Sequence, residues 1–242
     1  MSVHQYIEAD VEQAAAACAR QILAQLEQAV AGNEFATMAI SGGNSPKPVF
    51  GALASSGFDW RRVQLFFVDE RCVPAADPQS NYRMALEVFI GPAKLPSRNV
   101  HRVRTEFEPR RAAEHYAQEI REVFGLAEGE LPQLDLIHLG MGPDAHTASL
   151  FPGDPLIADR DQITAATYVE KFKQWRVTLL PGVILNAKHT VVFAPGEDKA
   201  EAMRAVLDGE FDARRYPAQI PAHLGRGVSW FMDRAAARLL DA

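Results

Sequence analysis

Residues 35–46, "FATMAISGGNSP", carry a short apolar run directly into two glycines, an asparagine and a Ser-Pro pair. A run of this length with alanine and β-branched residues reads as a buried strand, and the glycines read as a tight turn. Ser45 is placed to cap a helix that has Pro46 in its first turn. Strand, glycine turn and helix in that order make the opening of an α/β unit.

The pattern recurs outward from this stretch. Upstream, Asp10 to Ala31 reads as a first helix, with Asp10 and Gln13 as a capping pair and Gly32–Asn33 as its stop. Downstream, "VQLFFVDE" (63–70) reads as a second buried strand and "NYRMALEVFI" (81–90) as a helix. "PRRAAEHYAQEIREVFG" (109–125) has Ala113, Tyr116, Ile120, Val123 and Phe124 at helical spacing, which makes them core candidates. "LDLIHLG" (134–140) and "HTVVFAPG" (189–196) are further strands, "KAEAMRAVLDG" (199–209) is a helix, and "GVSWFMDRAAARLL" a strand passing into a terminal helix. Strands alternating with helices predict a mostly parallel, Rossmann-like sheet covered on both faces, a three-layer α/β/α sandwich. No repeat or linker interrupts it, so one domain over 1–242 is expected.

Composition excludes several classes. With 242 residues, 48% hydrophobic and 23% charged, the chain is long enough for a proper core and is neither disordered nor fibrous. A net charge of −6 argues against a general nucleic-acid binder. Cys18 and Cys72 lack metal-ligand spacing and read as free thiols. The first ten residues have no signal-peptide pattern and no run approaches a membrane span, so a cytoplasmic location is expected, with no membrane partner.

Ligands of open α/β sheets sit beyond the carboxyl ends of strands. "SGG", "DER" and "GMGPDAH" each follow a strand, so three loops converge on one edge. Ser41, Gly42, Gly43 and Asn44 form neither a Walker loop nor a GxGxxG turn, but their backbone N–H groups at a helix start suit an anion. A plain turn is the alternative. Asp69 and Glu70 read as a turn or an ion pair that orders it, Arg71 as a multi-donor partner for phosphate, and Asn81 as a loop-ordering side chain. Arg176 and Lys199 follow or flank other strands; each alone reads as surface, yet with Arg71 they would give an acidic chain one basic pocket.

In "LIHLGMGPDAHTASLFPG" (136–153), Asp144 reads first as the cap of a helix beginning at Thr147, and His146 as a surface residue. Ester hydrolysis at neutral pH offers another use, since a histidine can take a proton from an attacking water and an aspartate can orient it. The absence of a G-x-S-x-G elbow favours direct attack by water over an acyl-enzyme. Backbone N–H groups of 140–147 and Arg176 both remain candidates for the oxyanion.

Taken in order, "SGGNSP", "DER", "SNYR", "LGMGPDAHTASLFPG", "RVTLLP" and "PGEDKA" make the chain resemble the 6-phosphogluconolactonases, in the family shared with glucosamine-6-phosphate deaminase. The resemblance implies hydrolysis of 6-phospho-D-glucono-1,5-lactone without metal or organic cofactor. It places His146 as general base with Asp144 beside it, and Ser41, Gly42, Gly43, Arg71, Arg176 and Lys199 at phosphate and substrate positions. Functional proximity to glucose-6-phosphate dehydrogenase is a further expectation. An amino-sugar-phosphate deaminase or isomerase is the rival enzyme. That branch carries a glutamate five residues beyond its histidine and an aromatic residue after Asp-Glu, where this chain has Phe151 and Arg71. A non-catalytic sugar-phosphate sensor is the third reading; with its first strand read at residue 35, the chain has too little before it for a helix-turn-helix unit. One departure stands out: the family has glycine where this chain has Ala145, a substitution that is strained if the site needs positive φ.

Overall fold

The computed structural model describes residues 3–241; residues 1, 2 and 242 of the expected 1–242 domain lie outside the described residues. The first strand comes earlier than expected, at His4–Glu8 (β1). It is an exposed edge strand with few large apolar residues, which is why periodicity does not reveal it; Tyr6 anchors it by stacking on Phe231 at 4.6 Å. Helix α1 spans Val11–Gly32, and Asp10 caps it by accepting the Gln13 N–H at 2.8 Å while the Gln13 amide donates back at 3.0 Å. Its buried stripe of Ala14, Cys18, Ile22 and Leu26 keeps a near-helical spacing and faces the sheet.

The opening stretch folds as strand β2 (Ala36–Ile40), the glycine turn and helix α2 (Lys47–Ala54). Ser45 does not cap that helix. Pro46 occupies the N-cap position and the Lys47 N–H is taken by the Asn44 carbonyl at 3.3 Å, so backbone closes the turn a hydroxyl was expected to close.

The strand read as 63–70 is two strands. Val63–Phe67 (β3) stays in the main sheet, and Asp69–Arg71 (β4) belongs to a separate antiparallel sheet with Thr164–Val169 (β7) and Gln174–Leu179 (β8). Val68 is the pivot: its N–H bonds the Ile40 carbonyl of β2 at 2.9 Å, while its own carbonyl accepts the Leu179 N–H of β8 at 2.7 Å. An apolar run gives no sign that its two ends pair with different partners.

Helix α3 (Asn81–Ala85) continues as a π turn over Leu86–Ile90. A two-residue strand, Val100–His101 (β5), was not anticipated. Helix α4 (Pro109–Phe124) ends at Gly125, which takes φ 63° as a left-handed stop. Ala113, Tyr116 and Ile120 are buried as expected, Phe124 is half-buried against the core, and Val123 faces solvent. Then follow β6 (Leu136–Leu139), α5 (Pro181–Asn186), β9 (His189–Phe193), α6 (Ala200–Leu207) and β10 (Val228–Asp233). The expected terminal helix does not form. Residues 234–241 make turn bonds, such as Ala237 N–H to the Asp233 carbonyl and Leu240 N–H to that of Ala237, and are tied to distant elements by Arg234 N–H to the Glu8 carbonyl and Asp241 N–H to Asp208.

The main sheet runs β1-β10-β9-β6-β2-β3-β5, with every pairing parallel. One core lies on its α1–α2 face, with Ile22, Phe50 and Phe89 against Met38, Ile40, Leu65 and Phe67. The other lies on its α4–α6 face, with Tyr116, Ile184 and Met203 against Ala39, Phe66, Ile137 and Leu139. Strand residues alternate between the two cores, as three layers require. The chain moves from β2 outward to β3 and β5, returns across α4 to β6, and then builds in the opposite direction. Strand order therefore reverses between β2 and β6, which opens a crevice at their carboxyl ends.

Candidate active site

Beyond the end of β2, the Ser41–Gly43 turn lies beside β6, and the Ser41 N–H donates to the His138 carbonyl at 3.0 Å. Gly42 has no room for a side chain: a Cβ there would lie 2.0 Å from Asn81 Oδ1. Gly43 takes φ 97°, which any other residue would strain to adopt.

Buried Glu70 organises the next loop. Its carboxylate accepts the N–H groups of Arg71 (2.8 Å), Asn81 (2.7 Å) and Tyr82 (2.7 Å) and the Ser80 hydroxyl (3.1 Å). Burial pushes its carboxyl upward from the usual range, and the three backbone donors oppose that. Asp69 instead faces the cleft, where Oδ2 accepts the Ser149 hydroxyl at 2.7 Å and lies 3.7 Å from the Arg176 guanidinium. Asn81 donates to the Asp69 carbonyl at 2.8 Å.

Arg71 and Arg176 are direct cross-strand partners in the β4–β8 ladder. Like charges opposite each other destabilise a sheet unless an opposite charge joins them. Burial holds the Arg176 guanidinium below its ordinary range; Asp69 opposes this and Arg71 adds to it. Nε of each arginine is buried without a partner among the described residues, although Arg71 also donates to the Gln79 carbonyl at 2.7 Å. Lys199, which alone read as surface and with Arg71 as part of a basic pocket, is largely covered. It pairs with Asp198 at 2.6 Å and lines the same cleft.

The loop after β6 is not a helix start. Thr147 and Leu150 form an isolated bridge, and the Leu150 N–H bonds the Thr147 carbonyl at 3.0 Å, so Asp144 caps nothing. The Asp144 carboxylate instead accepts a hydrogen bond from His146 Nδ1 at 2.5 Å and pairs with Lys171 at 3.0 Å. Hydrogen bonding from His146 is the main cause that holds the Asp144 carboxyl far below its ordinary value, and Lys171 adds to it. An ionised Asp144 can only accept, so Nδ1 carries the proton and the lone pair of a neutral ring lies on Nε2. Phe151 stacks on the imidazole at 4.3 Å and fixes its plane. Gly142 is obligatory here, because a Cβ would lie 2.0 Å from His146 Nδ1. Ala145 does take φ 60° and is fully buried, so this chain carries the strain that glycine would avoid.

These loops enclose a cleft of about 210 Å³. Ser41, Gly42, Gly43, Asn44, Arg71, Arg176, Lys199 and His146 all line it, as do Asp69 and Asn81. Asp144 stands behind His146 and borders a neighbouring groove, and Glu70 lies outside the cleft's lining. Sequence reasoning missed His138, which it read as strand interior, and also Phe151, Ser149 and Lys171. A polar residue inside an apolar strand was the available signal for His138; nothing local marks the other three. Among the described residues, no three His, Cys, Asp or Glu side chains are grouped to hold a metal ion, and no helix is long and apolar enough to cross a membrane.

The chain is similar to proteins of known family over nearly its whole length. Residues 9–230 match the family model described as glucosamine-6-phosphate isomerases/6-phosphogluconolactonase. The chain is 34% identical over 220 residues to a 6-phosphogluconolactonase of Synechocystis, covering 90% of each. It is 34% identical over 205 residues to the human GDH/6PGL endoplasmic bifunctional protein, covering 81% of this chain and 25% of that protein. The structure of Trypanosoma brucei 6-phosphogluconolactonase superposes with a TM-score of 0.89 at 26% identity, covering 99% of each chain. A match over nearly the whole chain, at this identity and with this cleft, establishes that the chain belongs to the glucosamine-6-phosphate isomerase/6-phosphogluconolactonase family.

Proposed function

We propose that this chain hydrolyses 6-phospho-D-glucono-1,5-lactone to 6-phospho-D-gluconate by His146-assisted attack of water. Lactone hydrolysis in the pentose phosphate pathway is the activity of its branch of the family. The observation that carries the mechanism is the 2.5 Å contact between His146 Nδ1 and Asp144 at the rim of a cationic cleft.

In this reading His146 Nε2 takes a proton from water as its oxygen bonds the lactone carbonyl carbon. The negative charge of the tetrahedral intermediate needs a donor. Within the 140–147 loop the N–H groups of Gly142, Ala145 and His146 already have acceptors, which leaves the loop's other N–H groups and Arg176 Nε, unpartnered among the described residues, as the candidate donors. The bond from the carbonyl carbon to the ring oxygen then breaks, and the imidazolium returns its proton to that oxygen. Asp144 holds the ring and stabilises its charged form; the His146 hydrogen bond, with Lys171 adding to it, keeps Asp144 ionised. Arg71, Lys199, Asn44 and the Ser41–Gly43 turn receive the phosphate, and Asp69, Glu70 and Asn81 hold the loops that present them.

The deaminase alternative asks for an acid beyond the histidine. Residue 151 is instead a phenylalanine stacked on the imidazole, which supplies packing and no proton. Metal-independence is part of this proposal, as the family resemblance implies. One domain over 1–242 is supported by two cores that share a single sheet. A cytoplasmic location remains part of this proposal, as does functional proximity to glucose-6-phosphate dehydrogenase, which the name of the bifunctional human relative favours.

The test is turnover of freshly generated lactone, corrected for spontaneous hydrolysis, with glucosamine 6-phosphate as control substrate. His146→Ala should lower kcat by about 10²- to 10⁴-fold, the usual contribution of a positioned base. Wild-type-like turnover by that variant would reject the assignment, and release of ammonia from the control would reinstate the deaminase.

A further inference from the structure

We propose that His138 is a substrate contact: its imidazole N–H donates to the phosphoryl group received by the Ser41–Gly43 turn, setting affinity rather than rate. This rests on the lactonase reading above and adds a residue that neither the loop motifs nor the Asp144–His146 pair would single out.

The argument begins with what a structural histidine looks like in this protein. His101, on the edge strand β5, is 8% exposed and fully partnered, with Nδ1 at 2.9 Å from Glu119 and Nε2 at 2.8 Å from Gln64. His138, on the central strand β6, is 1% exposed, and both ring nitrogens are buried without a partner among the described residues. A neutral imidazole has one donor and one acceptor, and leaving both unmatched in an apolar layer costs stability. The ring's neighbour on the core side is Phe50, at 5.4 Å and 59°, which matches neither nitrogen. His138 is also one of the residues that line the cleft.

Placement names the ligand's chemistry. His138 pairs with Ile40 in the β2–β6 ladder, and its carbonyl accepts the Ser41 N–H at 3.0 Å, so it lies at the root of the glycine turn. Ser41 Oγ is also buried without a partner among the described residues and lines the same wall. The charged groups sharing the cleft are Arg71, Arg176, Lys199 and Asp69, and His146 lines it too. Burial pushes the His138 imidazole down to about 4, so near neutral pH it contributes a hydrogen bond and no charge. A neutral N–H beside an unmatched hydroxyl and a glycine turn suits the oxygens of a phosphate ester. The remaining ring nitrogen can accept from a hydroxyl of the same ligand.

Two measurements decide the matter. In the wild-type protein, the His138 ring resonances, identified by their loss in His138→Gln, are followed by NMR during titration with inorganic phosphate, 6-phosphogluconate and gluconate. Both phosphorylated or phosphate ligands should shift them and gluconate should not; a shift with gluconate alone, or with none, overturns the proposal. In kinetics, His138→Leu should raise KM for the lactone about tenfold, the effect of one lost hydrogen bond to a charged group, with kcat retained. His138→Gln, which keeps an N–H, should fall between the two. An unchanged KM in the leucine variant overturns the contact. If the leucine variant does not fold, the wild-type titration still decides. Absence of lactone turnover by the wild type would reject the lactonase reading, whereas the phosphate titration would still score His138.

Discussion

The sheet beneath α4 and the cleft at its carboxyl edge are built from the same strands, yet six of the eleven unmatched buried polar atoms among the described residues lie at the cleft, against three on α4 and in the core beneath it. Under α4, the buried Tyr116 hydroxyl donates to the Phe67 carbonyl at 2.9 Å and accepts the Phe67 N–H at 2.7 Å. His101 beside it is likewise fully matched. At the edge, the six unmatched atoms belong to Ser41, Arg71, Asn81, His138 and Arg176. Positive φ at Ala145 and Ala148 adds backbone strain to the same loop. Polar groups that the fold leaves unmatched are concentrated where a ligand can match them, and the strand interiors carry the stability that offsets this cost.

The most severe way to break the contrast is to disturb the histidine without removing it. Gly142→Ala puts a methyl group into the His146 ring position, so the imidazole must leave Asp144. We expect kcat/KM to fall by about 10²-fold or more, the usual effect of a misplaced catalytic group, with the folded circular-dichroism spectrum kept; activity within twofold of wild type would show that the ring has room.

Arg71→Ala tests the paired arginines. Loss of a charge-assisted bond to phosphate should raise KM by roughly 10- to 100-fold, and an unchanged KM would remove Arg71 from the site. The same variant should lose its dependence on the phosphate group, read from the ratio of inhibition by 6-phosphogluconate to that by gluconate.

Acid stability separates the cleft from the matched interior. A histidine whose folded value lies below its unfolded 6.5, here about 4 for His138, contributes stability that is complete above 6.5 and lost as pH falls toward 4. His189, also lowered by burial, has the same sign in any variant that keeps it. His138→Leu should therefore show a smaller fall in Tm between pH 6.5 and pH 4 than the wild type, by on the order of 3 kcal/mol in unfolding free energy. Parallel curves for the two proteins would show that His138 is not held neutral.

The smallest effect is expected at Ala145. Ala145→Gly relieves a left-handed conformation worth about 1–2 kcal/mol, but adds chain entropy of about 0.5–1 kcal/mol and removes a buried methyl worth about 0.8 kcal/mol. The terms nearly cancel, so Tm should move by only a few degrees and kcat should hold. A large loss of activity would mean that the methyl, packed in the core, positions the loop.

Much of this is legible in the sequence. The Asp10–Gln13 cap, the strand at Ala36–Ile40, the glycine turn and the Pro109–Phe124 helix each depend on neighbours within a few residues, and so local chemistry suffices to find them. The three loops at one edge followed from strand–helix alternation alone. What stayed hidden involves partners far apart in the chain: β1 against β10, the cross-strand meeting of Arg71 with Arg176, Ser149 on Asp69, and Lys171 on Asp144. The missing terminal helix is the converse case: Ala236, Ala237 and Leu240 pack on the core as turns, so alanine-rich propensity did not decide the backbone there.

The sequence by itself determined the layered α/β architecture, the anion-suited turn at Ser41–Gly43 and the presence of an aspartate and a histidine within one loop, since periodicity, glycine and capping act locally. Only the tertiary structure decided that Val68 hands its strand to a second sheet, that two arginines become cross-strand neighbours at the cleft, and that His138 lies unmatched beside it. Those outcomes depend on which strands become neighbours, and that is fixed by packing the whole chain around one sheet rather than by any run of residues within it.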